Sequence, residues 1–201
     1  MTRRILLAAA TVAVVGSLSA ACAEDVAPAA RVGQSIEISN ADLMAEAAHW
    51  QHSPTLIAQL QIGVVTGAGP GSYSTHFIDF VLTTRISFSL HNAQFRKLGL
   101  KITDQELTAA RAGLFADAAT TSAVLKELGR TYGDELVADA ARQFAVSTAM
   151  GTGYQAWQVR AFTGTEIEVN PRYGSWDAKT AGVVPPAGPR PARVGGLLSS
   201  P

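Results

Sequence analysis

The stretch Thr75-His76-Phe77-Ile78-Asp79-Phe80-Val81-Leu82-Thr83-Thr84-Arg85-Ile86-Ser87-Phe88-Ser89-Leu90-His91-Asn92-Ala93-Gln94-Phe95-Arg96-Lys97 decides the fold. Phe77, Val81, Phe88 and Phe95 form one apolar stripe at helical spacing, and Ile78, Leu82, Ile86 and Leu90 form a second. A helix of this length runs about 34 Å at 1.5 Å per residue, and two stripes mean that it packs on more than one side. It is expected to be the spine of a helical domain. Lys97-Leu98-Gly99 ends it, with a cation in the last turn and a glycine suited to the left-handed position after the cap.

Outward from the spine, each neighbour carries its own start signal. Thr103 with Glu106 makes a capping box for a helix through Leu107, Leu114 and Phe115. Ser39-Asn40-Ala41-Asp42 resembles another, opening a helix with Leu43, Ala47 and Trp50 on one face. Ser53-Pro54 reopens a helix through Leu56, Ile57, Leu60 and Val64, the proline sitting where its missing N–H is harmless. A short helix is expected from Ser122 to Leu128. Asp134 is expected to cap a longer one through Leu136, Ala140 and Phe144, interrupted at Gly151-Thr152-Gly153 and resuming through Tyr154, Trp157 and Phe162 to Gly164. Glu166 to Asn170 alternates charged and apolar residues, the period of a strand. Its expected partner is Val32 to Ile38, a short strand or tight hairpin around Gly33-Gln34-Ser35, which together would give a two-stranded clasp joining the ends of a mainly α domain. Gly67 to Ser72 is glycine-rich but lacks the Gly-Lys-Ser/Thr ending of a phosphate loop, so it reads as a connector.

Composition narrows the function classes. The chain has 201 residues, 47% hydrophobic and 16% charged, with Lys+Arg 16 balancing Asp+Glu 16. That balance, without a basic stripe, argues against nucleic acid as a partner. One cysteine leaves no internal disulfide and no cysteine-based zinc site. Arg3 and Arg4 precede an apolar run from Ile5 to Val15, too short to span a bilayer and suited to a secretory signal over residues 1–21. Leu18-Ser19-Ala20-Ala21-Cys22 then resembles a bacterial lipobox. That resemblance implies cleavage before Cys22 and acylation of its thiol, hence a lipid anchor on the outer face of the cell membrane. Residues 22–30 read as a tether, 31–177 as the helical domain and 178–201 as a disordered Pro/Gly-rich tail.

Arg31-Val32-Gly33-x-x-Ile36, Ile38-Ser39-Asn40-Ala41-Asp42-Leu43, Leu98-Gly99-Leu100-Lys101-Ile102-Thr103-Asp104-Gln105-Glu106-Leu107 and Val169-Asn170-Pro171-Arg172-Tyr173-Gly174-Ser175-Trp176-Asp177 carry a family resemblance. Together they resemble the N-terminal, SurA-like chaperone domain of extracytoplasmic peptidyl-prolyl isomerases, most closely the short lipoproteins of high-GC Gram-positive bacteria. The resemblance implies binding of unfolded or extended polypeptide. The parvulin-type isomerase domain of full-length members is not expected here, since the 24 residues after Asp177 are Pro/Gly-rich and a small domain takes about 50.

Candidate chemistry is sparse. His49 and His52 are spaced to share a helix face but have no third ligand nearby, and no Ser/His/Asp order or Gly-x-Ser-x-Gly elbow occurs. No catalytic residue, metal or cofactor is expected, and the chain reads as a non-enzyme. Most aromatic residues of the spine belong to the core; those left over would line a groove for apolar segments, with Phe77, Phe80, Phe88 and Trp157 as the expected peptide contacts and Cys22 as the lipidation site. The alternatives are an envelope scaffold binding one specific partner and a divergent isomerase.

Overall fold

The computed structural model describes residues 27–69, 72–115 and 117–186, and among them the protein is mainly helical. A hairpin of β1 (Ala30–Val32) and β2 (Ile36–Ile38) leads into α1 (Asn40–Gln51), capped by the Ser39 hydroxyl, which accepts from the Asp42 N–H. The short α2 (Pro54–Gln59) follows, with Ser53 as its cap. Next come the spine α3 (Thr75–Lys97), α4 (Asp104–Gly113), α5 (Ala118–Leu128) and α6 (Arg130–Met150). A 3-10 turn at Gly151–Gly153 joins α6 to α7 (Tyr154–Gly164), after which β3 (Ile167–Val169), β4 (Ser175–Asp177) and β5 (Gly182–Val184) complete the chain. No helix among the described residues is long and apolar enough to cross a membrane.

The spine packs against α6 along one side and against α1, β1 and β5 along others, which is why it needs two stripes. Phe77, Val81, Leu82 and Ile86 are fully buried, and Ile78 and Leu90 nearly so. The stripe of Phe77 and Val81 leaves the core toward the C-terminal half of the helix, where Phe88 and Phe95 are only half-buried. Gly99 adopts φ +64, as its place after the helix cap requires. The capping box of Thr103 and Glu106 is formed in both directions.

The clasp differs from the expected two strands. Its sheet has three, in the order β2-β1-β3, with β1 antiparallel to both neighbours and registers Val32↔Ile36 and Val32↔Ile167. Of the two readings of Val32 to Ile38 the tight hairpin is the one formed, and β3 pairs with it as expected, along the free edge of β1. The tether is shorter than expected, because Ala29 and Ala30 are buried and the Ala29 N–H donates to the Ile38 carbonyl. Small side chains there let the backbone approach the core.

The expected disordered tail is also corrected. Residues 178–186 lie within or beside the β4–β5 hairpin, antiparallel with Trp176↔Val183. Asp177 holds its turn by accepting from the Lys179 N–H and the Thr180 hydroxyl, and the Val183 N–H donates to Thr83 Oγ1 on the spine. Two helix starts differ as well. Asp134 lies inside α6, paired with Arg111 at 2.6 Å, while Gly129 occupies the junction. Asp117 caps α5 by accepting from the Thr120 N–H, so that helix begins before Ser122. Finally, α2 stops at Gln59 and the chain to Val64 is irregular.

Candidate functional site

Among the described residues, two of the cavities beside the spine share the half-buried Phe88 in their lining. The first is an apolar-floored groove of about 630 Å³ between α3, α6, α7 and the β4–β5 turn. Phe80 and Phe88 of the spine, Val159 and Phe162 of α7, and Ala178 and Ala181 of the turn supply its apolar surface. Thr83, Thr84, Ser87, Gln143, Gln158 and Thr163 add hydroxyls and amides, with Lys179 as the charged group among the described lining residues. Val159 is 62% exposed, so the apolar lining is open to solvent. The floor is held in place: Phe162 stacks on Trp176, whose indole N–H donates to the Phe162 carbonyl.

The second cavity, about 450 Å³, is charged. Ile36, Glu37 and Ile38 of β2, Asp42 of α1, Arg85, Ser89 and Asn92 of α3, and Glu135, Asp139 and Arg142 of α6 line it. Arg142 pairs with Asp139 at 2.5 Å, and Asn92 donates to the same carboxylate. Arg85 reaches behind the cavity to Glu46, 3.5 Å away.

Glu46 is only 5% exposed. Burial raises its pKa, with Arg85 and the Tyr132 hydroxyl opposing. Tyr132 donates to Glu46 at 2.9 Å and accepts from the Trp50 indole at 2.5 Å, and its ring stacks on His49 at 4.5 Å. Burial raises the Tyr132 pKa, so the phenol stays protonated. This network ties α1 to α3 and α6 and has the connectivity of a structural lock. His49 is thereby engaged with Tyr132, while His52 turns back to the Ala48 carbonyl at the end of α1. Among the described residues no three His, Cys, Asp or Glu groups come together as a metal site.

His91 is fully buried. Burial lowers its pKa, and the neutral ring donates from Nδ1 to the Ser87 carbonyl and accepts at Nε2 from the Tyr154 hydroxyl. Trp157 closes on it edge-to-face at 5.1 Å.

The expected peptide contacts therefore separate. Phe80 and Phe88 meet in the groove. Phe77 is fully buried against Tyr73 and cannot reach a ligand. Trp157 lines a different, shallower hollow with Leu90, Lys97 and Arg160. Cys22 lies outside the described residues. Val159, Phe162, Ala178 and Ala181 escaped the sequence reading; the i, i+3, i+4 set Val159, Phe162, Thr163 was the available signal for the first two, whereas a Pro/Gly/Ala segment gives none for the alanines. The charged cavity also escaped it, because its acids come from two stretches about a hundred residues apart, Glu37 with Asp42 and Glu135 with Asp139. No family model, no curated protein and no solved structure matches this chain.

Proposed function

We propose that this protein is a non-enzymatic, chaperone-like lipoprotein, anchored through acylated Cys22, that holds unfolded or extended polypeptide on the outer side of the cytoplasmic membrane. The observation that carries the reading is the 630 Å³ groove floored by Phe80, Phe88, Phe162 and Val159. A shallow apolar floor with hydroxyl and amide rims accepts varied apolar side chains while satisfying an extended backbone's polar groups. Each client side chain buried there contributes about 1.5–3 kcal/mol before ordering costs are subtracted, which suits weak, reversible holding. The SurA-like resemblance of the sequence motifs supports the same reading. The N-terminal signal pattern supports the location.

The test is suppression of aggregation by the full chain in excess over several thermally unfolding clients, with Val159→Glu as the probe. Because Val159 is solvent-exposed, the variant should melt with the parent yet lose at least threefold in suppression. A prolyl-peptide assay should show no acceleration of isomerisation. Aggregation unchanged across unrelated clients favours the scaffold alternative, and catalysis above background favours the isomerase.

A further inference from the structure

The charged cavity borders the edge of a strand. All three residues of β2 line it, although Ile36 and Ile38 point to one face of the sheet and Glu37 to the other. Consecutive residues share a wall in this way when the wall is the strand's backbone edge. The other edge of β2 is taken by β1. The Gly33 N–H donates to Glu166 and the Asn170 N–H to the Ala29 carbonyl, so that carbonyl, Arg31 and Gly33 face β3, while Ala30 and Val32 face β2, as does the Ala29 N–H, which donates to Ile38. By the same alternation Ile36 and Ile38 bond to β1, and the N–H and C=O of Glu37 point to the open edge.

An open strand edge is a template for another chain. The chemistry around this one selects the occupant: Glu37, Asp42, Glu135 and Asp139 outnumber Arg85 and Arg142 by two among the described lining residues, and although Glu37 pairs with Arg31 at 3.8 Å and Asp139 with Arg142, Asp42 and Glu135 have no ion pair among the described residues. We propose that a basic, extended polypeptide segment docks along β2 as a fourth strand, with its lysine or arginine side chains among these carboxylates. The inference rests on the reading that the protein binds extended polypeptide and adds a selectivity to it. Since Phe88 divides this cavity from the apolar groove, the preferred client carries basic residues next to an apolar run.

The experiment measures binding to the full chain of three short fluorescent peptides: alternating threonine and lysine, the same with glutamate for lysine, and a neutral apolar one. The lysine peptide should bind at least tenfold tighter than the glutamate peptide and weaken with salt. Glu37→Pro removes the outward N–H at an edge position where proline is tolerated, and should weaken the lysine peptide more than Glu37→Gln does. Glu135→Lys, at an exposed helix position, should weaken it at least tenfold without changing the melting temperature. Equal binding of the lysine and glutamate peptides, or a lysine peptide indifferent to Glu37→Pro and Glu135→Lys, overturns the proposal. The neutral peptide, sensitive to Val159→Glu alone, reports on the groove separately, so either site can fail without the other. Tighter lysine-peptide binding after removal of residues 187–201, which contain Arg190 and Arg193, would make that segment the occupant and overturn the assignment to a client. A dimer that Glu135→Lys dissociates would assign the edge to a second copy, with the same consequence.

Discussion

Asp79→Asn should stabilise the protein, and should do so only above mildly acidic pH. Asp79 lies in the second turn of α3, 4% exposed, between the buried Ile78 and Val81, and neither carboxylate oxygen has a hydrogen-bond partner among the described residues. Burial raises its pKa from 3.8 to about 6, with His76 opposing. A carboxyl whose folded pKa lies above its unfolded value lowers stability as pH rises. Below 3.8 both states are protonated and the group contributes nothing; between 3.8 and 6 the unfolded state ionises first; above 6 the full penalty applies. At 1.36 kcal/mol per pH unit, the penalty approaches 3 kcal/mol at neutral pH. Asparagine keeps the shape and removes the charge. The stability difference between variant and parent, from chemical denaturation, should therefore grow by about 2–3 kcal/mol between pH 4 and pH 7.5. In melting temperature this is a gain of roughly 4–12 °C for a chain of this size. A difference that stays constant across that range, or a variant less stable than the parent at pH 7.5, refutes the reasoning.

Three further outcomes follow from the packing and the sequence. Tyr132→Phe leaves the Trp50 indole and the buried Glu46 without the shared hydroxyl, and equilibrium unfolding should show a loss of about 2 kcal/mol. Gly174→Ala places a Cβ on the Val184 carbonyl oxygen at a backbone φ of +115, so the β4–β5 hairpin should open, seen as faster amide exchange at Val183 and a lower melting temperature. Cys22→Ser should move the protein from the membrane to the soluble fraction of its host; mass spectrometry finding a mature N-terminus downstream of residue 22 on the unsubstituted chain would refute the anchor.

Features with local causes were readable in the sequence. The spine spans Thr75–Lys97 because Ser74 caps one end and Gly99 follows the other, and the break at Gly151–Gly153 is written in its glycines. The β4–β5 hairpin was hidden because what holds it is distant: Thr83 on the spine for Val183, and the end of α7 for Trp176. The start of α6 misled because Asp134 has the chemistry of a cap but pairs with Arg111 instead. In the candidate site, Phe80 and Phe88 were legible as aromatic residues of the spine, but Phe77 shares the stripe of Phe88 and lies in the core; periodicity gives a face, not its depth. The acids of the charged cavity lie in two pairs far apart in sequence, Glu37 with Asp42 and Glu135 with Asp139, and only the fold gathers them.

The central claim is that the apolar groove holds extended polypeptide, and methyl-detected NMR tests it most directly. With the full chain labelled at alanine, valine and threonine methyls, titration of an unfolded polypeptide should shift Thr83, Thr84, Val159, Ala178 and Ala181, which line the groove, and leave the buried Val124 and Val137 unmoved. Saturating polypeptide that leaves the groove methyls unshifted, or shifts only methyls elsewhere, contradicts the account.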